Sequence, residues 1–260
     1  MNNEQVLCEV HDGVATLLLN NPPLNVVTLG LTRALGAALD SLAANDAVRA
    51  VIVTGTGERA FCAGSDINEF HELMAPGQVV PKKLGRQNEV FSQLDDFPKP
   101  TIAALNGLAY GGGLEIAVCC DLLIAEEQVN LCLPEIKLGV FPSSGGTVRV
   151  TRRIGEGRAK DMMYFGEPID AATALAWGLV NRVVPRGEAL RVARQMAATL
   201  CERPPLALSL CKSVIDRSFD LPLHEVIQHS LQASDKAFSS AECAEGVRAF
   251  RAREAPNFRR

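Results

Sequence analysis

The sequence predicts an α/β chain with a largely parallel sheet and an all-helical C-terminal part, and three observations carry that reading. The run Ala50-Val51-Ile52-Val53 is apolar throughout, as a strand covered on both faces of a parallel sheet is. Helical patterns separate it from a second run at 101–105 and further strand-like runs, so strand, crossover helix and strand follow one another. From Gly187 onward no β run remains, and helical patterns fill roughly 188–201, 204–219, 222–239 and 241–252.

Taken in order, 6–10 and 14–19 are short β-rich runs joined through Asp12-Gly13, a strong hairpin signal. Asn20-Asn21-Pro22-Pro23-Leu24-Asn25 is not regular structure, and Thr28 is the N-cap of a helix to about Ala44, with Leu31, Leu35, Leu39 and Leu42 at helical spacing. The strand at 50–53 runs into a loop of small residues, 54–67, that leads to a short helix. The polar stretch 73–83, with Pro76, Gly77 and Pro81, is expected to be mobile. A helix over 84–94 is stopped by Pro98-Lys99-Pro100. The strand at 101–105 feeds a glycine-led helix to Cys120, strands follow at 121–125 and 129–133, and Pro134 to Gly139 makes a brief helical turn. Beyond Ser143-Ser144-Gly145-Gly146-Thr147 the glycines separate helices, and 178–184 is one more strand-like run. The expected division is a core over 1–186 and a helical region over 187–260 that either wraps the core or meets another subunit.

Composition excludes several classes. A chain of 260 residues with net charge −4, scattered Lys and Arg and 5% aromatic residues carries no nucleic-acid footprint. Eight cysteines spread from Cys8 to Cys243 form no C-x-x-C pair, so they read as small core residues in a reducing compartment. The start has no basic segment followed by an apolar run, and the most apolar region, 101–125, is interrupted by Asn106, three glycines, Glu115 and Asp121. The expectation is a cytoplasmic protein with no membrane span.

Chemistry concentrates around Asn106-Gly107-Leu108-Ala109-Tyr110-Gly111-Gly112-Gly113-Leu114-Glu115-Ile116-Ala117. Three consecutive glycines let another molecule approach the main chain where a helix begins, and the first N–H groups of a helix have no partner within it. Glu115 falls in that first turn. The loop 54–67 is a second place where backbone is bared. Neither G-x-G-x-x-G nor G-x-x-x-x-G-K-[ST] occurs, there is no G-x-S-x-G, and His11, His71, His224 and His229 lie outside the motifs, with His224 and His229 at a spacing that does not share a helix face. Nucleotide cradles, serine hydrolysis and metal catalysis are unsupported.

The run Arg59-Ala60-Phe61-Cys62-Ala63-Gly64-Ser65-Asp66-Ile67, the run 106–117, and Leu133-Pro134-Glu135-Ile136-Lys137-Leu138-Gly139 with Pro142 and Gly145-Gly146-Thr147 resemble the enoyl-CoA hydratase/isomerase, or crotonase, family. The resemblance extends from the first hairpin to Phe250 and Arg253. It implies a spiral of repeated ββα units, a helical C-terminal region that builds homotrimers or homohexamers, and a coenzyme A thioester substrate with no separate cofactor. Two backbone N–H groups, those of Ser65 and Gly112, would hold the thioester oxygen. Glu115 would activate water and Glu135 would exchange the proton at Cα. Matching positions for substrate and CoA contacts are Pro23, Leu24, Asn25, Ala63, Asp66, Ile67, Gly111, Pro134, Ser143, Phe250 and Arg253.

Three positions depart from the family pattern. Ser65 stands where alanine is common, Asn68 where a basic residue is common, and Ser143-Ser144 where a glycine-containing pair is usual. Both glutamates are present, which favours hydration over isomerisation. A carnitinyl-CoA dehydratase-like activity, a family isomerase and a non-catalytic acyl-CoA-binding protein are the alternatives.

Overall fold

The computed structural model describes residues 4–258; residues 1–3, part of the start read above for a leader, lie outside the described residues. Asp12 and Gly13 are both left-handed, with φ of 49° and 83°, as a two-residue hairpin turn needs. They join β1 (Val6–His11) to β2 (Val14–Leu19) with His11 opposite Val14. The expected N-cap forms: the Thr28 side chain accepts from the Leu31 N–H and starts α1 (Leu29–Ala43), which buries Leu31, Leu35, Leu39 and Leu42.

From there the chain winds as a spiral, each turn leaving one strand in each of two sheets. The turns are β3 (Ala50–Gly55), β4 (Ala60–Cys62) and α2 (Gly85–Asp95); then β5 (Thr101–Leu105), β6 (Leu108–Tyr110) and α3 (Gly112–Ala117); then β7 (Leu122–Glu126) and β8 (Asn130–Cys132). Helices α4 (Gly146–Ile154), α5 (Glu156–Phe165) and α6 (Ala171–Trp177) follow, with β9 (Ile169–Asp170) before α6 and β10 (Arg182–Val184) after it. One sheet runs β1-β2-β3-β5-β7-β10 and the other β4-β6-β8-β9, with every pair parallel except β1 with β2 and β8 with β9.

Why the central strands are apolar throughout is now visible. Val51, Val53, Ala103 and Leu105 join the core shared with α1, α2 and the second sheet. Their alternating neighbours Ala50, Ile52, Ile102 and Ala104 face Ala189, Ala193, Ala197 and Cys201 of α7 (Ala189–Cys201). Side chains four apart share a helix face, and their small size lets α7 lie close on the sheet. This first helix of the C-terminal region therefore wraps the core. Helices α8 (Pro205–Arg217), α9 (Leu223–Phe238) and α10 (Ala241–Ala252) bury few residues. Leu223, Leu231 and Phe238 are 77%, 66% and 80% exposed. Lys212 ties α8 to the core by donating to the Asp95 carbonyl at 2.7 Å and pairing with Asp121.

The structure differs from expectation in four places. The strands β4, β6 and β9 were not expected, because two or three residues are too few to display a period. The glycine-led helix stops at Ala117 instead of Cys120: Cys119 and Cys120 N–H groups bond three residues back, which tightens the last turn and delivers Asp121 to the N–H and hydroxyl of Thr101 at 2.7 and 3.0 Å. Within the stretch expected to be mobile, Val80–Leu84 forms a π-helical turn continuous with α2, and buried Lys83 sits 2.6 Å from Glu69. The strand expected at 178–184 is confined to Arg182–Val184.

Candidate active site

Two asparagines hold the loop between β3 and β4 in place. Asn25 is fully buried, donating to the carbonyls of Thr56 and Ala60 at 2.9 Å each and accepting from the Asn21 N–H and Thr56 hydroxyl at 3.1 Å each. Asn106 donates to the carbonyls of Gly55 and Gly57 at 2.9 and 2.7 Å from the other side. The chain leaving β4 is then paired with the segment after Asn25: Ala63 donates to the Leu24 carbonyl at 2.9 Å, Val27 to the Gly64 carbonyl at 2.8 Å, and Asp66 to the Val27 carbonyl at 3.0 Å. Val27 thus engages the groups flanking Ser65 in a parallel bridge. Successive peptide groups of an extended chain point to opposite sides, so the Ser65 N–H faces away from Val27.

It faces the start of α3. A Cβ built on Gly64 would lie 3.5 Å from the Gly112 nitrogen, and one built on Gly112 would lie 3.5 Å from Ser65 Oγ. Gly111, at φ 49° and ψ −127°, has a backbone that only glycine adopts readily. A Cβ at Gly113 would stand 2.1 Å from the Cys62 carbonyl oxygen, so α3 is seated against β4 more closely than any side chain permits. As first residue of α3, Gly112 has an N–H with no partner in the helix. The two stretches of bared backbone meet here.

Glu115 is 3% exposed, and its Oε1 accepts from the N–H groups of Ser144 at 2.8 Å and Gly146 at 2.9 Å. Burial pushes its pKa up, while those two N–H groups and the Arg149 guanidinium oppose the shift. Glu135 follows Pro134 at the start of the 3₁₀ turn Glu135–Leu138. A Cβ on Gly111 would lie 2.9 Å from its Oε1, which puts that carboxyl beside the head of α3. Its Oε2 is buried and has no hydrogen-bond partner among the described residues. Burial, opposed by its own N–H and helped by the charge of Glu115, pushes its pKa up to about 7. By contrast, burial pushes the Cys62 and Cys120 thiols up to about 12, and Cys119 well above its usual range, so these thiols are core groups, not nucleophiles.

The remaining sequence-predicted residues fall in two places. Pro23, Leu24, Ala63, Asp66, Ile67, Gly111, Pro134 and Ser143 belong to the segments just described, with Ile67 61% exposed and Ser143 Oγ donating to the Phe141 carbonyl at 2.8 Å. Asn25 contributes by holding the loop, because both ends of its amide are engaged within the protein. Phe250 and Arg253 lie at the end of α10, which packs on α9; Phe250 is 85% exposed and Arg253 is the left-handed residue that ends the helix. Sequence reasoning missed Gln87. It is 1% exposed, shares the buried stripe of α2 with Val90, Phe91 and Leu94, and both its amide atoms are without partners among the described residues. The signal was a polar side chain on an otherwise apolar helical stripe.

The two-sheet spiral thus brings the backbone stretches of Ser65 and Gly112 together with the buried Glu115 and the half-buried Glu135. The comparisons name the family. The family model described as enoyl-CoA hydratase/isomerase matches residues 9–260, and the chain belongs to that family. It is 34% identical to the short-chain-enoyl-CoA hydratase of Clostridium acetobutylicum over 96% of this chain and 95% of that one. Among solved structures, DspI of Pseudomonas aeruginosa superposes with a TM-score of 0.93 at 34% identity, covering 97% of this chain and 96% of that one. The enoyl-CoA hydratase of Bacillus anthracis superposes with a TM-score of 0.93 at 33% identity, covering 98% and 99%.

Proposed function

We propose that the chain adds water reversibly across the 2,3 double bond of a 2-enoyl-CoA thioester. One observation supports this reading: the buried Glu115 and the half-buried Glu135 both lie at the glycine-led helix head that meets Ser65, where a base, an acid and an anion site would converge. In the hydration direction the Glu115 carboxylate takes a proton from water as its oxygen bonds to C3. The π electrons move toward the thioester, whose oxygen gains negative charge between the N–H groups of Ser65 and Gly112. C2 then takes the proton held by Glu135. Loss of one such oxyanion donor costs about 3 to 4 kcal/mol.

We assign Glu115 the ionised role: burial raises its pKa, but two N–H groups and Arg149 oppose that rise, whereas Glu135 Oε2 has no hydrogen-bond partner among the described residues. One proton shared by the pair serves both directions, since dehydration starts from the tautomer in which Glu115 is protonated. Coenzyme A is part of the substrate, and the segments holding Pro23, Leu24, Ala63, Asp66, Ile67, Pro134 and Ser143 are the reading for its channel, with Phe250 and Arg253 reaching the nucleotide end in an assembly. The exposed apolar residues of α8 and α9 support a homotrimer or homohexamer, and a stable monomer in light scattering at micromolar concentration overturns it. No helix among the described residues is long and apolar enough to cross a membrane; the cytoplasm remains the proposed location. The deciding experiment is hydration of crotonyl-CoA, followed by loss of enoyl absorbance, in the parent and in Glu115→Gln and Glu135→Gln. Parent-like rates in both variants overturn the two-glutamate reading.

A further inference from the structure

Gln87 has a place and a deficit that the chemistry above does not use. It lies on α2, and α2 is fixed to the loop beneath Glu115 by Asn88, whose Nδ2 donates to the carbonyls of Leu84 and Ser143 at 2.9 Å each. The Gln87 side chain is 1% exposed, yet neither Nε2 nor Oε1 has a hydrogen-bond partner among the described residues. Buried amides are nearly always paired, so two open valences on one side chain point to a missing partner. The direction of the amide is known. A Cβ built on Gly112 would meet Gln87 Nε2, Ser65 Oγ and Val27 Cγ2, each at 3.5 Å. Gln87 therefore borders the residue whose N–H is assigned to the thioester oxygen.

We propose that Gln87 is a specificity-determining residue that receives a hydroxyl group on the acyl chain of the substrate, so that this enzyme acts on a hydroxylated 2-enoyl thioester in preference to a plain alkyl one. The proposal rests on the reading that an acyl thioester occupies this site. A primary amide offers a donor and an acceptor side by side, and a hydroxyl is the smallest neutral group that answers both. A carboxylate answers only the donor. It would also lie near two glutamates, and the neighbouring cations are engaged elsewhere, Lys83 by Glu69 at 2.6 Å and Arg149 by Asp95 at 2.8 Å. An alkyl chain would leave both amide atoms buried and unpaired, and a site built to hydrogen-bond a group rejects the analogue lacking it. Because Gln87 flanks the carbonyl end of the chain, the hydroxyl belongs a few bonds beyond the double bond.

The test uses 2-enoyl-CoA thioesters in pairs matched for heavy atoms, one member ending in hydroxyl and the other in methyl, with the hydroxyl on the fourth, fifth or sixth carbon. The parent is expected to favour the hydroxylated member of at least one pair by about 10- to 100-fold in kcat/KM. Gln87→Met, near in shape but apolar, is expected to abolish or invert that preference while still hydrating the methyl member, and Gln87→Leu serves the same purpose if the methionine variant does not fold. Calorimetric titration of the saturated, unreactive forms of each pair reads the same preference without turnover. If the parent binds the hydroxylated saturated ligand more tightly through Gln87 but hydrates nothing, the hydratase reading fails and the Gln87 assignment stands. If the parent hydrates every pair without discrimination, or if the preference is unchanged in Gln87→Met, the assignment is overturned, as it would be were the amide partner only an ordered water.

Discussion

Glu115 is gripped by main chain, whereas Glu135 is left largely ungripped. The first accepts two N–H groups from the Ser144–Gly146 loop; the second has its Oε1 beside Gly111 and its Oε2 buried with no hydrogen-bond partner among the described residues. Two residues of the same type are thus given different surroundings by backbone placement. Donors aimed at a carboxylate stabilise its charge and fix its direction, while burial without donors favours the neutral acid. The difference teaches that the surroundings of each carboxyl are set by which loop reaches which oxygen, not by the side chains themselves.

The largest effect that sharpens this comparison comes from removing the proposed anion site. Gly112→Pro deletes the N–H at the head of α3 and should abolish hydration, with circular dichroism checking that the fold survives; measurable activity in a folded variant would separate the carboxyl pair from that N–H. Next come the carboxyls. Glu115→Gln keeps an acceptor for Ser144 and Gly146, so the geometry should hold while hydration falls by about 10²- to 10⁴-fold. Deuterium uptake at Cα of a saturated thioester, read by mass spectrometry, should survive in Glu115→Gln and vanish in Glu135→Gln. The reverse pattern exchanges the two roles.

A smaller, thermodynamic effect follows from the raised pKa of Glu135. Its folded value of about 7 lies above the ordinary 4.5, so between those values the folded state binds more protons than the unfolded state and stability falls as pH rises. Below about 4.5 both states are protonated and nothing is lost; above about 7 the full penalty, on the order of 3 kcal/mol, is present. Glu135→Gln should therefore melt higher than the parent above neutral pH and alike near pH 4, and equal melting temperatures throughout would show that Glu135 is not buried as described. If the pair shares one proton, kcat/KM should be bell-shaped with its alkaline limb set by loss of that proton, identical for hydration and dehydration because both start from the singly protonated pair. The smallest effect expected is that of Ser65→Ala, a change within a few-fold in rate if, as proposed, its N–H and not its hydroxyl serves the oxyanion; a large loss in kcat/KM would assign the hydroxyl a part.

Much of this was legible in the chain because the signals are local. Asp12-Gly13 specifies its hairpin, Thr28 starts its helix, the unbroken apolar runs mark strands covered on both faces, and the glycines before Glu115 mark bared backbone, all from backbone sterics and periodicity within a few residues. The three motifs also pointed to the family. What the tertiary structure alone decided involves groups far apart in sequence: the three-residue strands β4 and β6 that exist only within the second sheet, the approach of Glu135 to Gly111, the capture of Glu115 by Ser144 and Gly146, and the amide of Gln87 over Gly112, without partners among the described residues. A carboxyl or an amide has its pKa and its open valences set by what surrounds it in space, and burial with or without a donor is a property of the packed core, which no single stretch of sequence carries.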